Sequence, residues 1–251
     1  MRVRLELSYN GTSFEGWQIQ KRGRTVQGVL EETLGKIEKR SVRLTGAGRT
    51  DSGVHARAQV AHFDTTLTSM APEKFLPAVN RLLPRDIRII SSRQADPEFH
   101  ARYDALARTY RYFLYRGEEA SPFQGPFRYA RRHLPNLHQL NRAASSLLGS
   151  HDFSAFAAAG DISNSKVRTI YQAAFLESSG MVEFRITGNA FLWRMVRSIV
   201  GTILENCQGE DPREDMKIIL ESRERERAGT TAPPSGLFFW KAHYDRENLY
   251  G

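Results

Sequence analysis

The chain has 251 residues, 40% of them hydrophobic and 25% charged, with a formal net charge of +8. This is globular composition, with enough apolar material for one large core or two smaller ones. It excludes several classes: no apolar run approaches the roughly 18 residues that span a bilayer, and the opening Met1–Leu7 alternates charged and apolar residues instead of forming a signal-peptide core. A lone cysteine, Cys207, leaves neither an intrachain disulfide nor a cysteine-rich zinc site.

In chain order, residues 2–9 alternate as a strand and Asn10-Gly11 signals a turn. Lys21-Arg-Gly-Arg24 is a short basic loop, after which Thr25 can cap a helix carrying Val26, Val29, Leu30, Leu34 and Ile37 at helical spacing. Val42–Leu44 reads as a short strand leading into a glycine-rich stretch, 46–53, and a further strand of roughly 56–64 follows. Ser69 and Pro72 open a second helix with Phe75, Val79 and Leu82 on one face, and a strand begins at Ile87–Ile90. Residues 105–115 alternate most clearly of all. A loop rich in proline and glycine occupies 117–135, and Asn136 caps a helix bearing Leu137, Leu140, Ala144, Leu147 and Leu148, ended by Gly149. After an irregular stretch of 150–165, strands 166–177 and 181–187 flank the hairpin signal Ser178-Ser179-Gly180. A helix of about 191–206 presents Leu192, Met195, Val196, Ile199 and Ile203, Asp211–Leu220 forms a shorter one, and Leu237–His243 a last strand. The alternating charges of 222–227 read as a solvated face.

The two halves follow nearly the same succession, with hairpins in place of strict strand–helix alternation. We therefore expect an α+β protein of two similar domains, residues 1–104 and 105–251, each an antiparallel sheet with helices on one face. Charge is unevenly divided: residues 1–150 hold 24 Lys and Arg against 14 Asp and Glu, the remainder 12 against 14. The excess is mostly arginine, whose guanidinium matches phosphate bidentately, so an anionic partner is expected. The seven histidines form no metal-binding pair at helical spacing; His133 and His138 lie five apart across a proline. A metal-free, cytoplasmic protein is the expectation.

Chemistry concentrates in Gly46-Ala-Gly-Arg-Thr-Asp-Ser-Gly-Val-His-Ala56. A dinucleotide fingerprint needs glycine at the sixth position and a helix behind it, but the sixth residue is Asp51 and a strand follows. A P-loop needs Lys and Ser or Thr after its last glycine, where this chain has Val54-His55. What remains is a tight turn presenting Arg49, Thr50 and Asp51. A guanidinium favours the charged form of a neighbouring carboxylate, which can act as nucleophile or base when shielded from water. Equally, an aspartate in such a place can simply cap its turn.

These residues resemble the signature of the tRNA pseudouridine synthase A family, G-R-T-D-x-G-V-H-A. The resemblance extends over essentially the whole chain: Tyr9–Gln18 with Thr25–Gln27, Phe99–Asp104 with Arg108–Tyr112, His151–Phe156, Phe191–Arg197 and Ala232–Leu237 are similar to further family motifs in the same order. One departure is Trp193-Arg194, where family members often carry smaller polar or histidine side chains. The resemblance implies an isomerase that converts uridines at positions 38, 39 and 40 in the anticodon stem-loop of tRNA to pseudouridine. It implies no cofactor and no metal, a homodimer, and an active-site cleft between the two domains. Asp51 would be the catalytic carboxylate, paired with Arg197; Arg49 would hold the target base out of its stack, Tyr110 would pack on the uracil, and Leu237 would line the pocket. On spacing alone Tyr110 and Leu237 read rather as core residues, and Arg197 as a side chain lying beside Trp193; the motif match reverses that.

Two basic segments are candidate RNA contacts. One is Lys21, Arg22 and Arg24. The other is the loop 121–133, in which Arg128, Arg131 and Arg132 alternate with Phe123, Phe127 and Tyr129. The rival reading is a non-catalytic RNA-binding module, which accounts for the charge but leaves Asp51 without a task.

Overall fold

The computed structural model describes residues 1–118, 121–207 and 209–245 as a mixed α+β protein. They fall into two compact units, Met1–Leu106 with Phe238–Tyr244, and Ala107–Leu237.

In the first unit, strand β1 (Arg2–Tyr9) lies between β3 (His55–Asp64) and β4 (Ile87–Gln94), antiparallel to both. Its alternation gives it two faces: Val3, Leu5, Leu7 and Tyr9 are buried, while Arg2, Arg4, Glu6 and Ser8 are half-exposed. Helix α1 (Val26–Glu38) starts where Thr25 accepts the Gly28 N–H and buries Val26, Leu30 and Leu34. On the far side of β3 from β1, β10 (Leu237–His243) pairs in parallel, with Phe238 opposite His55 and Phe239 opposite Ala56. The two-residue strand β2 (Thr45–Gly46) pairs β3 at His62 and Ala61.

Two expectations need correction here. Val42–Leu44 makes no ladder; Val42 and Leu44 are buried, but the pairing begins one residue later, at Thr45. Helix α2 is confined to Phe75–Leu82 because Pro72–Lys74 form a separate tight turn before it. Phe75 and Val79 are buried and Phe75 meets Phe63 edge-on at 5.2 Å, whereas Leu82, at the last turn, is half-exposed. Pro77 sits in the first turn, where its missing N–H has no helical partner to lose.

In the second unit, β5 (Ala107–Arg116), β9 (Met181–Gly188), β8 (Val167–Ser178) and β7 (Gly149–Asp152) form successive antiparallel pairs. The β8–β9 turn places Ser179 at φ 52° and Gly180 at φ 75°, the left-handed pair that suits a two-residue hairpin. Helix α3 (Leu137–Ser145) opens with a reciprocal capping box between Asn136 and Gln139, and α5 (Pro212–Ser222) with the Asp211 side chain. Helix α4 (Met195–Asn206) buries Met195, Val196, Ile199 and Ile203.

Here too the sequence expectation shifts. α4 starts at Met195, not near 191, because Arg194 adopts a left-handed conformation (φ 61°) that no helix can include. The loop 117–135, apart from residues 119–120, which lie outside the described residues, contains a short strand, β6 (Tyr129–Arg131), parallel to β5. The stretch 150–165 is ordered at its start by β7, and Leu148 is exposed although Leu147 is fully buried. The charged run 222–227 is not wholly a solvated face: Arg225 donates to the carbonyls of Ala228 and Gly229.

Candidate active site

The turn bearing Asp51 is held chiefly by backbone contacts from the opening segment of the chain. Ala47 N–H donates to the Val60 carbonyl at 2.7 Å and the Gln59 amide to the Gly48 carbonyl at 2.8 Å, which tie the entry of the turn to β3. Trp17 N–H then donates to the Thr50 carbonyl at 3.0 Å, and Gly53 N–H to the Phe14 carbonyl at 3.2 Å, which the Ser52 hydroxyl also reaches. Val54 N–H closes the turn onto the backbone carbonyl of Asp51 at 3.1 Å, and Gly53 supplies the positive φ (77°) that the third turn position requires. Closure therefore runs through the main chain of Asp51.

Close approach explains the glycines opposite. A Cβ on Gly16 would stand 2.6 Å from the Thr50 carbonyl oxygen, and one on Gly11 would stand 2.0 Å from that of Val54. Underneath, the Tyr9 hydroxyl hydrogen-bonds the Thr50 hydroxyl at 2.8 Å. Burial pushes the Tyr9 phenol upward, so it stays protonated throughout the physiological range. Gly11 N–H donates to Nδ1 of the buried His55, whose ring stacks on Phe238 at 4.6 Å. The result is a half-buried Asp51 between an exposed Arg49 and a buried Thr50.

The second unit gathers the other sequence-predicted pocket residues. Tyr110, only 8% exposed, sits in β5 opposite Ile186 with Phe191 edge-on at 5.0 Å. Arg197, in the first turn of α4, is tied to Ala232 twice: its Nε donates to the Ala232 carbonyl at 2.8 Å, and Ala232 N–H returns to the Arg197 carbonyl at 3.1 Å. The strap that follows Ala232 is seated on Tyr112, whose hydroxyl donates to the Pro233 carbonyl at 2.8 Å and whose ring lies where a Cβ on Gly236 would be. That strap delivers Leu237, 5% exposed. Arg194 stands over the Trp193 ring at 4.9 Å.

The candidate RNA contacts are differently disposed. Lys21 and Arg22 are exposed. Arg24 is committed within the protein, paired with Asp86 at 2.6 Å and lying over the Phe14 ring at 4.0 Å. Arg128 donates to the Gln124 side chain, Arg131 to the Tyr129 hydroxyl, and Arg132 pairs with Glu118 where both are exposed. Among the described residues, no three His, Cys, Asp or Glu side chains gather closely enough to hold a metal ion, and no helix is long and apolar enough to cross a membrane.

Residues that sequence reasoning had given no role now have one: Tyr9, Gly11, Gly16 and His55 brace the turn, and Tyr112 and Phe191 shape the second group. For Tyr9, Gly11 and Gly16 the signal lies in Tyr9–Gln18, similar to a family motif but residue by residue only a strand end and a turn.

Comparison with known proteins bears on the same segments. The profile of a family described as tRNA pseudouridine synthase matches residues 7–104 and 143–245. The chain is 47% identical over 252 residues to tRNA pseudouridine synthase A of Treponema denticola, covering 98% of this chain and 94% of the relative. Against the proteins of that name from Geobacillus sp. and Bacillus subtilis it is 43% and 42% identical, with at least 97% of each chain covered.

Proposed function

This chain belongs to the tRNA pseudouridine synthase A family, and on that basis we propose that it isomerises uridines 38, 39 and 40 in the anticodon stem-loop of tRNA, with Asp51 as the catalytic carboxylate. The observation that carries the assignment of Asp51 is the bracing of its turn. Backbone contacts from Phe14, Gly16 and Trp17, with the Tyr9 hydroxyl on that of Thr50, fix residues 50–54, and so fix where the side chain of a half-buried aspartate is presented.

The reaction breaks the N1–C1′ bond, turns the uracil and joins C5 to C1′. It is redox-neutral and transfers nothing to or from a second substrate, so one carboxylate acting at the sugar, by attack or by aiding proton removal at C2′, supplies the essential group. The uridine must first leave its stack, at a cost of a few kcal/mol. Arg49, exposed beside Asp51, helps hold the target base out of its stack. Tyr110, Arg197 and Leu237 complete the site. The basic surfaces, with Lys21, Arg22, Arg128, Arg131 and Arg132, meet the tRNA phosphates, and the enzyme works as a cytoplasmic homodimer.

The test is release of tritium from tRNA labelled at uridine C5, with no additive. Release at the rate of a competent enzyme supports the reading. Binding of the tRNA without release favours the RNA-binding module. Light scattering at micromolar concentration checks the dimer; a fully active monomer would remove that part.

A further inference from the structure

Trp193 and Arg194 occupy a constrained, solvent-facing position. The indole is 46% exposed, large for a tryptophan outside an interface. Its backbone is fixed on both sides: Trp193 N–H donates to a carboxylate oxygen of Asp161 at 2.6 Å, and Ala158 N–H donates to the Trp193 carbonyl at 3.0 Å. Asp161 is itself anchored by Lys166 and by Ser163 N–H. One edge of the indole lies where a Cβ on Gly160 would come within 2.7 Å, so that glycine lets the ring lie down on the loop. The Arg194 guanidinium is 4.9 Å from the ring centroid and, among the described residues, is paired with no carboxylate. Arg194 also holds φ 61°, a strained conformation for a side chain of this kind, kept where function or tight packing demands it. The neighbours in sequence matter as well: Phe191, two residues before, is edge-on to Tyr110, and Arg197 follows within one helical turn.

We propose that Trp193 and Arg194 form a stacking platform for a nucleotide of the tRNA other than the one being isomerised, the base lying on the indole and its phosphate meeting the guanidinium. This rests on the functional reading above and adds a specificity-determining contact to it. An aromatic face with an adjacent cation matches a nucleotide in both its parts, whereas an apolar protein partner would leave the guanidinium uncompensated. Because the backbone of Trp193 is already fixed and its ring already rests against Gly160, little side-chain entropy is lost on stacking. The platform sits on the same short segment as the pocket residues Phe191 and Arg197, so the base it takes belongs to the target uridine's own stem-loop.

The test measures binding of an anticodon stem-loop to Trp193→Ala, Trp193→Leu and Trp193→Phe in the Asp51→Asn background, which stops turnover. Alanine and leucine should each weaken binding about 10-fold, the loss expected for one stacked base, and phenylalanine should stay within about threefold of the parent. Leucine separates stacking from mere apolar cover. Titration with the stem-loop should quench tryptophan emission in the parent and lose most of that quench in Trp193→Phe. Parental affinity in the leucine variant, with tritium release by the unmodified enzyme intact, overturns the platform alone. So does a change of oligomeric state on substitution with no change in RNA affinity, because the face would then be a protein contact. Failure of the unmodified enzyme to bind or turn over tRNA would defeat the functional reading and the platform with it.

Discussion

The Asp51 turn and the arginine-bearing segment 121–133 are the two regions proposed to meet RNA, and they are built differently. The turn is over-determined: four backbone hydrogen bonds and two glycine contacts fix it. In segment 121–133 the backbone of Tyr129–Arg131 pairs with β5, while the arginine side chains are satisfied by neighbours, with Arg128 on Gln124, Arg131 on Tyr129 and Arg132 on Glu118. Positioning a carboxylate to within a fraction of an ångström calls for the first design. Meeting a phosphate backbone, where exchange of one hydrogen-bond partner for another is nearly neutral, is compatible with the second.

That contrast can be broken at either end. The largest stability effect is expected at Gly16→Ala, where the new methyl would collide with the Thr50 carbonyl and the residue's φ of 87° would become strained. We expect a loss of roughly 2–4 kcal/mol, a fall in Tm of about 5–15 °C, and little residual activity, measured by calorimetry and tritium release on one preparation. Tyr9→Phe is milder, since it keeps the ring and removes only the hydroxyl that serves Thr50 and Gln59. A cost of about 1–2 kcal/mol is expected, with a larger fractional loss in turnover than in tRNA affinity. Neutralising Arg128, Arg131 and Arg132 together should leave Tm almost unmoved, because exposed pairs contribute about 0–1 kcal/mol each. It should instead flatten the salt dependence of tRNA binding, by up to about 0.9 in slope for each phosphate that is no longer neutralised. An unchanged slope would take this loop off the RNA surface.

A smaller effect concerns pH. Burial alone would raise the pKa of Glu38, but hydrogen bonds from Thr65 and Thr66 and the charge of Arg40 outweigh it and hold this carboxyl below its ordinary value. A depressed carboxylate stabilises the fold above its unfolded pKa, and that contribution disappears as pH falls through the folded one. Thermal melts from neutral pH downward should show a loss of Tm below the ordinary glutamate range that is reduced in Glu38→Gln.

Local signals were legible in the sequence and long-range ones were not. Thr25 and Asn136 were readable as caps because capping involves residues three apart, and the hairpin at Ser179-Gly180 because its backbone demands are local. The span Leu237–His243 was readable as a strand, but its parallel partner β3 was not, since nothing in either strand encodes a pairing across some 180 residues. β6 was hidden because three residues beside Gly125-Pro126 carry no usable alternation. At the site, the identity of Asp51 came from motif resemblance, while the bracing by Gly11 and Gly16 came only from seeing which carbonyls they approach.

The central claim is that the turn exists to hold the Asp51 carboxylate, and Asp51→Asn tests it most directly. The amide is nearly isosteric and the turn closes through the backbone, so melting temperature and tRNA affinity should stay near the parent's. Single-turnover tritium release from C5-labelled tRNA should fall by at least about three orders of magnitude. A folded, tRNA-binding Asp51→Asn protein that releases tritium at the parental rate would contradict the account.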